Sequence, residues 1–142
     1  MKKKTRIIKI ILVIIWMTGI FMFSHQKADD STKTSNTFIK STIGTVFNIK
    51  DQNKLNQFIK PVRKSAHFFL YLVLGILVII CFDDVNKRTI LLSIGICILY
   101  SISDEIHQIF IEGRSAEVLD IFIDTAGSSL GIMICKLKAA KK

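Results

Sequence analysis

The sequence holds one proline, one tryptophan and three cysteines in 142 residues, and eleven acidic side chains against twenty basic ones. Cys81, Cys97 and Cys135 are an odd number, all within apolar runs and without the paired spacing of a zinc site. A disulfide framework is therefore excluded, and the three read as small helix-packing residues. There is no H-E-x-x-H motif and no serine or cysteine with an evident general base beside it, which removes the hydrolases built on those arrangements. No inverted repeat appears, which argues against a secondary transporter. The net charge of +9 invites a nucleic-acid reading, but its position does not support one. Lys2, Lys3, Lys4, Arg6 and Lys9 open the first apolar run, and Lys136, Lys138, Lys141 and Lys142 follow the last. Without them no basic stripe interleaved with aromatics remains, so nucleic acid is excluded as a partner.

What the sequence has is apolar length. Half of it is hydrophobic, with ten phenylalanines and a mean hydropathy of +0.44. Segments 7–23, 66–82, 89–111 and 116–135 approach or reach the roughly 20 residues that a helix needs to cross a bilayer. The expected fold is an all-α, integral membrane four-helix bundle forming a single domain over residues 1–142. The first span follows a basic segment like that of a signal peptide, yet Ser24-His25-Gln26-Lys27-Ala28 lacks an A-x-A cleavage site, so it reads as a retained anchor. Residues 24–62 form a polar loop in which Phe38, Ile39, Ile43, Val46 and Phe47 recur at helical spacing, as do Leu55, Phe58, Ile59 and Val62. Two short interfacial helices fit, the second limited by Pro61; a flexible tether is the alternative for the first. An even number of crossings puts both basic termini on one side, expected to be the cytoplasm of a bacterial plasma membrane.

Polar residues gather in one place. Ser101-Ile102-Ser103-Asp104-Glu105-Ile106-His107-Gln108 ends the third apolar run, whose earlier part, Ile90 to Tyr100, is nearly free of polar groups. An ionisable side chain at membrane depth costs roughly 2.5–3.5 kcal/mol on insertion scales, and so marks a candidate site. In the expected topology, His67, Asp104 and Asp120 fall roughly 8–12 Å below the outer surface, with Asp124 about a turn deeper. Ser101, Asp104, Glu105, His107 and Gln108 lie within an arc of roughly 160° on their helix. On the fourth span Glu117, Asp120, Asp124, Gly127, Ser128 and Gly131 share a face, while Phe122, Ile132 and Met133 look away. Arg63, His67 and Tyr71 form a stripe on the second span. Gly127 and Gly131 form a GxxxG that permits close approach of a helix, including one from a second copy.

Several of these segments carry a resemblance. Arg63-Lys64-Ser65-Ala66-His67-Phe68-Phe69-Leu70-Tyr71, Ser103-Asp104-Glu105-Ile106-His107-Gln108, Glu112-Gly113-Arg114 and Asp120…Asp124-Thr125-Ala126-Gly127 resemble the VanZ-like membrane protein family. Phe23-Ser24-His25-Gln26 is similar to its short polar motif after the first span, with His25 where a second serine is more usual, and Asp124 stands where asparagine is common. The likeness covers nearly the whole chain apart from residues 27–60. It implies a small multi-span envelope protein, in a family named for an association with low-level teicoplanin resistance in Gram-positive bacteria.

The polar residues admit three readings. In the first they only hold the bundle together, with Arg63 and Arg114 paired to Asp120, Glu105 or Asp104. In the second Arg63, Lys64 and Arg114 meet a phosphate at headgroup level. Beneath them His67, Tyr71, Asp104, Glu105, Gln108, Asp120 and Asp124 receive the polar part of an envelope lipid or lipid-tailed glycopeptide. In the third His67, Asp104, Glu105 and His107 are acid–base groups, or His67, Asp104, His107, Asp120 and Asp124 hold a divalent metal for chemistry on a lipid phosphate or acyl group. The expected partners are membrane lipids and a lipid-linked envelope component or lipoglycopeptide.

Overall fold

The computed structural model describes residues 3–25, 59–112, 114 and 116–140, and its regular structure is entirely helical. The helices are α1 (Lys3–Ser24), α2 (Ile59–Ile79), α3 (Lys87–Gln108) and α4 (Val118–Ala140). All four are long and apolar enough to cross a membrane. Of the polar loop, residues 26–58, with most of the two expected interfacial helices, lie outside the described residues.

Among the boundaries that differ from expectation, two have clear physical reasons. The second helix begins at Ile59 rather than Ala66. Pro61 does not close a surface helix; it sits in the first turn of α2, where its missing N–H would have found no intrahelical acceptor. The third helix ends at Gln108, and the chain reaches Ile111 in tighter turns, Phe110 N–H donating to His107 O and Ile111 N–H to Gln108 O, each at 3.0 Å. Its start is fixed by a capping box: Asn86 Oδ1 accepts from Thr89 N at 3.0 Å, and Asn86 N donates to Thr89 Oγ1 at 2.9 Å.

The bundle is framed by the α2–α4 pair. A Cβ on Gly127 would stand 2.3 Å from Phe68 O, one on Gly131 2.1 Å from Leu72 O, and one on Gly75 2.2 Å from Ser128 O. Only glycine allows backbones this close. The Gly127/Gly131 face, expected to admit the close approach of a neighbouring helix, is met by α2 of the same chain. Ile132, expected to face outward, is buried instead: it continues the stripe Asp124–Ser128–Ile132 into the interior. Phe122 and Met133 are exposed, as are Ile102, Ile106, Ile109 and Phe110 on the apolar side of α3.

Helix α1 joins this frame more loosely. Ile20 enters the core formed by Tyr71, Leu74, Val78 and Cys97, and Trp16 Nε1 donates to Leu70 O at 2.9 Å. Ser24, closing α1, lies beside Asp104 near the end of α3, and Lys64 in α2 meets Asp120 at the start of α4. Arg6 in α1 meets Asp83 just past α2. The helices therefore alternate in direction, with the polar layer at one end and the start of α1 and end of α4 at the other.

Candidate functional site

The site grows from α3, where Ser101, Asp104, Glu105 and Gln108 recur at helical spacing and all turn inward. Asp104, 3% exposed, accepts from Ser24 Oγ through Oδ2 at 2.8 Å. Gln108 Nε2 lies 3.3 Å from both Asp104 Oδ2 and Glu105 Oε1, tying the two acids together from one turn above. Arg114 Nη1 donates to Gln108 Oε1 at 3.2 Å, while Glu105 Oε2 accepts from the Glu117 backbone N–H at 2.9 Å. From α4, fully buried Asp124 accepts from Ser101 Oγ through Oδ2 at 2.8 Å. His67 of α2 faces it, Nδ1 standing 3.8 Å from Asp124 Oδ1, too far for a hydrogen bond. Tyr71 is completely buried one turn below His67.

A rim lies over this layer. Lys64 Nζ binds Glu117 Oε2 at 2.7 Å and also contacts Asp120 Oδ1. Its hydrogen bond holds the Glu117 carboxyl below the usual glutamate value, and burial, reinforced by the nearby Arg63 charge, lowers the pKa of Arg114. Arg114 remains a cation, since guanidinium does not deprotonate in proteins. The pairing expected of Arg63 or Arg114 with Asp120 is made by Lys64 instead. Arg114 reaches the amide of Gln108, and Arg63 makes no ion pair among the described residues.

His107 leaves the group. Its Nε2 lies 3.1 Å from His25 Nδ1, and its ring stands against Phe21 with centroids 4.3 Å apart. Of the five candidate metal ligands, two are drawn away from the other three. Asp120 is engaged by Lys64, His107 turns to α1, and among the described residues no group of three or more His, Cys, Asp or Glu could hold a metal ion. The structure does bring together His67, Tyr71, Asp104, Glu105, Gln108, Arg114 and Asp124. Ser24 and Ser101 join them without having been among the expected site residues. Their sequence signals were present: Ser101 precedes Asp104 by three on the same stripe, and Ser24 lies in the polar motif closing the first span.

The most informative feature is what remains unmatched. Among the described residues, His67 Nδ1, Tyr71 Oη, Asp104 Oδ1, Asp124 Oδ1, and Arg114 Nε and Nη2 are buried without a hydrogen-bond partner. Native interiors leave few such atoms, because each costs about 1–3 kcal/mol, more when charged. Six from five neighbouring residues form a concentrated set of unused donors and acceptors. Such a set can bind a polar group from outside the chain.

No curated protein and no solved structure matches the chain. The VanZ/LLP1 family model matches residues 9–139, which include every residue of the buried polar layer. The chain belongs to the VanZ/LLP1 family.

Proposed function

We propose that this is a bacterial plasma-membrane protein whose polar layer faces the cell exterior, binds an envelope lipid or a lipid-tailed glycopeptide, and contributes to tolerance of teicoplanin-type antibiotics. The reading is carried by the six unmatched polar atoms on His67, Tyr71, Asp104, Arg114 and Asp124. A network kept only for packing would match its own donors and acceptors, since an interhelical hydrogen bond in a membrane contributes only about 0.6 kcal/mol on average. The metal-assisted enzyme reading has no comparable support, for among the described residues no three His, Cys, Asp or Glu side chains are placed to hold a metal ion. The orientation is argued from charge: the basic residues flanking the start of α1 and the end of α4 favour the cytoplasm, which turns the opposite end outward. The antibiotic link is drawn from the family's name and from the suitability of an outward site for a lipid-anchored glycopeptide.

The test is susceptibility. Cells producing the Asp104→Asn or Arg114→Ala variant at parental membrane levels should become as susceptible to teicoplanin as cells lacking the protein. Undiminished tolerance with both variants would refute the reading.

A further inference from the structure

The unmatched atoms are sorted by type, and that sorting specifies a ligand, provided that the polar layer binds a lipid as proposed. Asp104, Glu105 and Asp124 are buried carboxylates, with Arg114 as the guanidinium in contact with their network. Lys64 is occupied at the rim by Glu117 and Asp120. Carboxyls in a low-dielectric layer are costly to ionise on their own, and a cation brought among them would offset that cost. The free positions deepest in the layer, Asp104 Oδ1 and Asp124 Oδ1, accept hydrogen bonds. His67 Nδ1 stands across from Asp124, and Tyr71 is buried one turn along the same stripe of α2. A donor between His67 and Asp124 would serve two atoms that cannot bond each other at 3.8 Å. An ammonium supplies three N–H donors and the missing charge.

The free positions on Arg114 are the opposite kind. Nε and Nη2 form one side of the guanidinium fork, the geometry that takes a phosphate through two parallel hydrogen bonds. Only the Gln108 side chain separates Arg114 from Asp104. The ligand must therefore carry an anionic oxygen pair and, a short link deeper, a primary amine.

An apolar groove of about 470 Å³ runs beside this layer between α1 and α2, lined by Trp16, Gly19, Ile20, Phe23, Ala66 and Leu70 among others. Its upper wall touches the site, because the Phe23 and His67 rings lie with centroids 5.9 Å apart. A Cβ on Gly19 would meet nothing within 4 Å, so this part of the groove is open.

We infer that the site takes an aminophospholipid of the phosphoethanolamine type, its phosphate on Arg114, its ammonium among Asp104, Asp124 and Tyr71, and an acyl chain in the α1–α2 groove. Methylation of the amine tests this directly, because a trimethylated headgroup keeps the phosphate and the positive charge but has no N–H to donate. The experiment titrates the purified full chain with phosphatidylethanolamine, phosphatidylcholine and phosphatidylglycerol of identical acyl chains and reads bound lipid by native mass spectrometry. Phosphatidylethanolamine should bind at least tenfold more tightly than phosphatidylcholine. Asp104→Asn should erase that preference, Arg114→Ala should weaken both lipids alike, and Gly19→Leu, which fills open groove, should weaken phosphatidylethanolamine several-fold without unfolding the bundle. Equal affinity for the ethanolamine and choline lipids would overturn the inference. Preference for phosphatidylglycerol would overturn it while leaving the lipid-site reading standing; retention of none of the three lipids would also overturn it, and the susceptibility of the Asp104→Asn and Arg114→Ala cells then decides the broader reading.

Discussion

Both ends of the bundle carry charged side chains, and they use them in opposite ways. At the end where α1 begins, Arg6 and Asp83 pair at 2.7 Å with side chains 52% and 42% exposed, and Lys9 Nζ donates to Ile80 O at 2.7 Å. Asn86 and Thr89 match each other across the start of α3. Those groups meet partners within reach of water, as anchors at a membrane surface do. At the other end the rim is matched by Lys64, but the layer beneath it keeps buried atoms of both polarities without partners among the described residues. An arrangement that gives up stability in this way is expected where binding, rather than folding, sets the residue choice. Charged residues in this chain therefore carry two meanings, and burial together with unmatched atoms separates them.

The sharpest break attacks the frame on which both ends depend. Gly131→Leu drives a side chain into the backbone of α2 at Leu72. It should cost more than about 3 kcal/mol and abolish folded protein, seen as loss of a monodisperse peak and a cooperative melt in detergent. Gly95→Leu, whose Cβ meets nothing within 4 Å, should melt like the parent. Failure of that contrast would remove the α2–α4 pair as the scaffold.

A smaller loss is expected at the rim. Lys64→Ala leaves Glu117 and Asp120 without their shared cation and should lower stability by about 1–2 kcal/mol, partly screened because Glu117 is accessible. The pH dependence has a definite sign. Because Lys64 holds the Glu117 pKa down, this contribution is complete above the ordinary glutamate pKa and is lost as pH falls through the depressed folded value. The stability difference between parent and Lys64→Ala should therefore shrink in acid, as melting curves at successive pH values will show.

The smallest effect belongs to the opposite end. Arg6→Ala removes one exposed ion pair and should change stability by less than about 1 kcal/mol, with teicoplanin susceptibility unchanged. A large functional loss there would erase the distinction between the two ends.

Much of this was legible in the sequence because hydropathy and helical period are local properties. The apolar run 7–23 became α1, and the inward stripe of Asp104, Glu105 and Gln108 comes directly from 100° per residue. What the period could not supply was the neighbour. His107 shares the broad polar arc of α3, yet Phe21 on α1 and His25 just past its end draw it out of the site. The GxxxG signalled a close contact without saying whose backbone would fill it; Phe68 and Leu72 of the same chain do. Lys64 rather than Arg63 meets Asp120, because residues adjacent in sequence point about 100° apart on a helix and only the fold decides which one faces α4. Ser24 enters the site from 80 positions away, a pairing that tertiary packing alone creates.

The most direct test is the melting temperature of Asp104→Asn in lipid nanodiscs, measured beside the teicoplanin susceptibility of cells producing it. Removing a buried charge with an unmatched oxygen should leave the melting temperature unchanged or raise it while tolerance is lost. A melting temperature that falls sharply, with tolerance declining only as far as the amount of protein in the membrane declines, would show that the acids serve the fold and contradict a binding site.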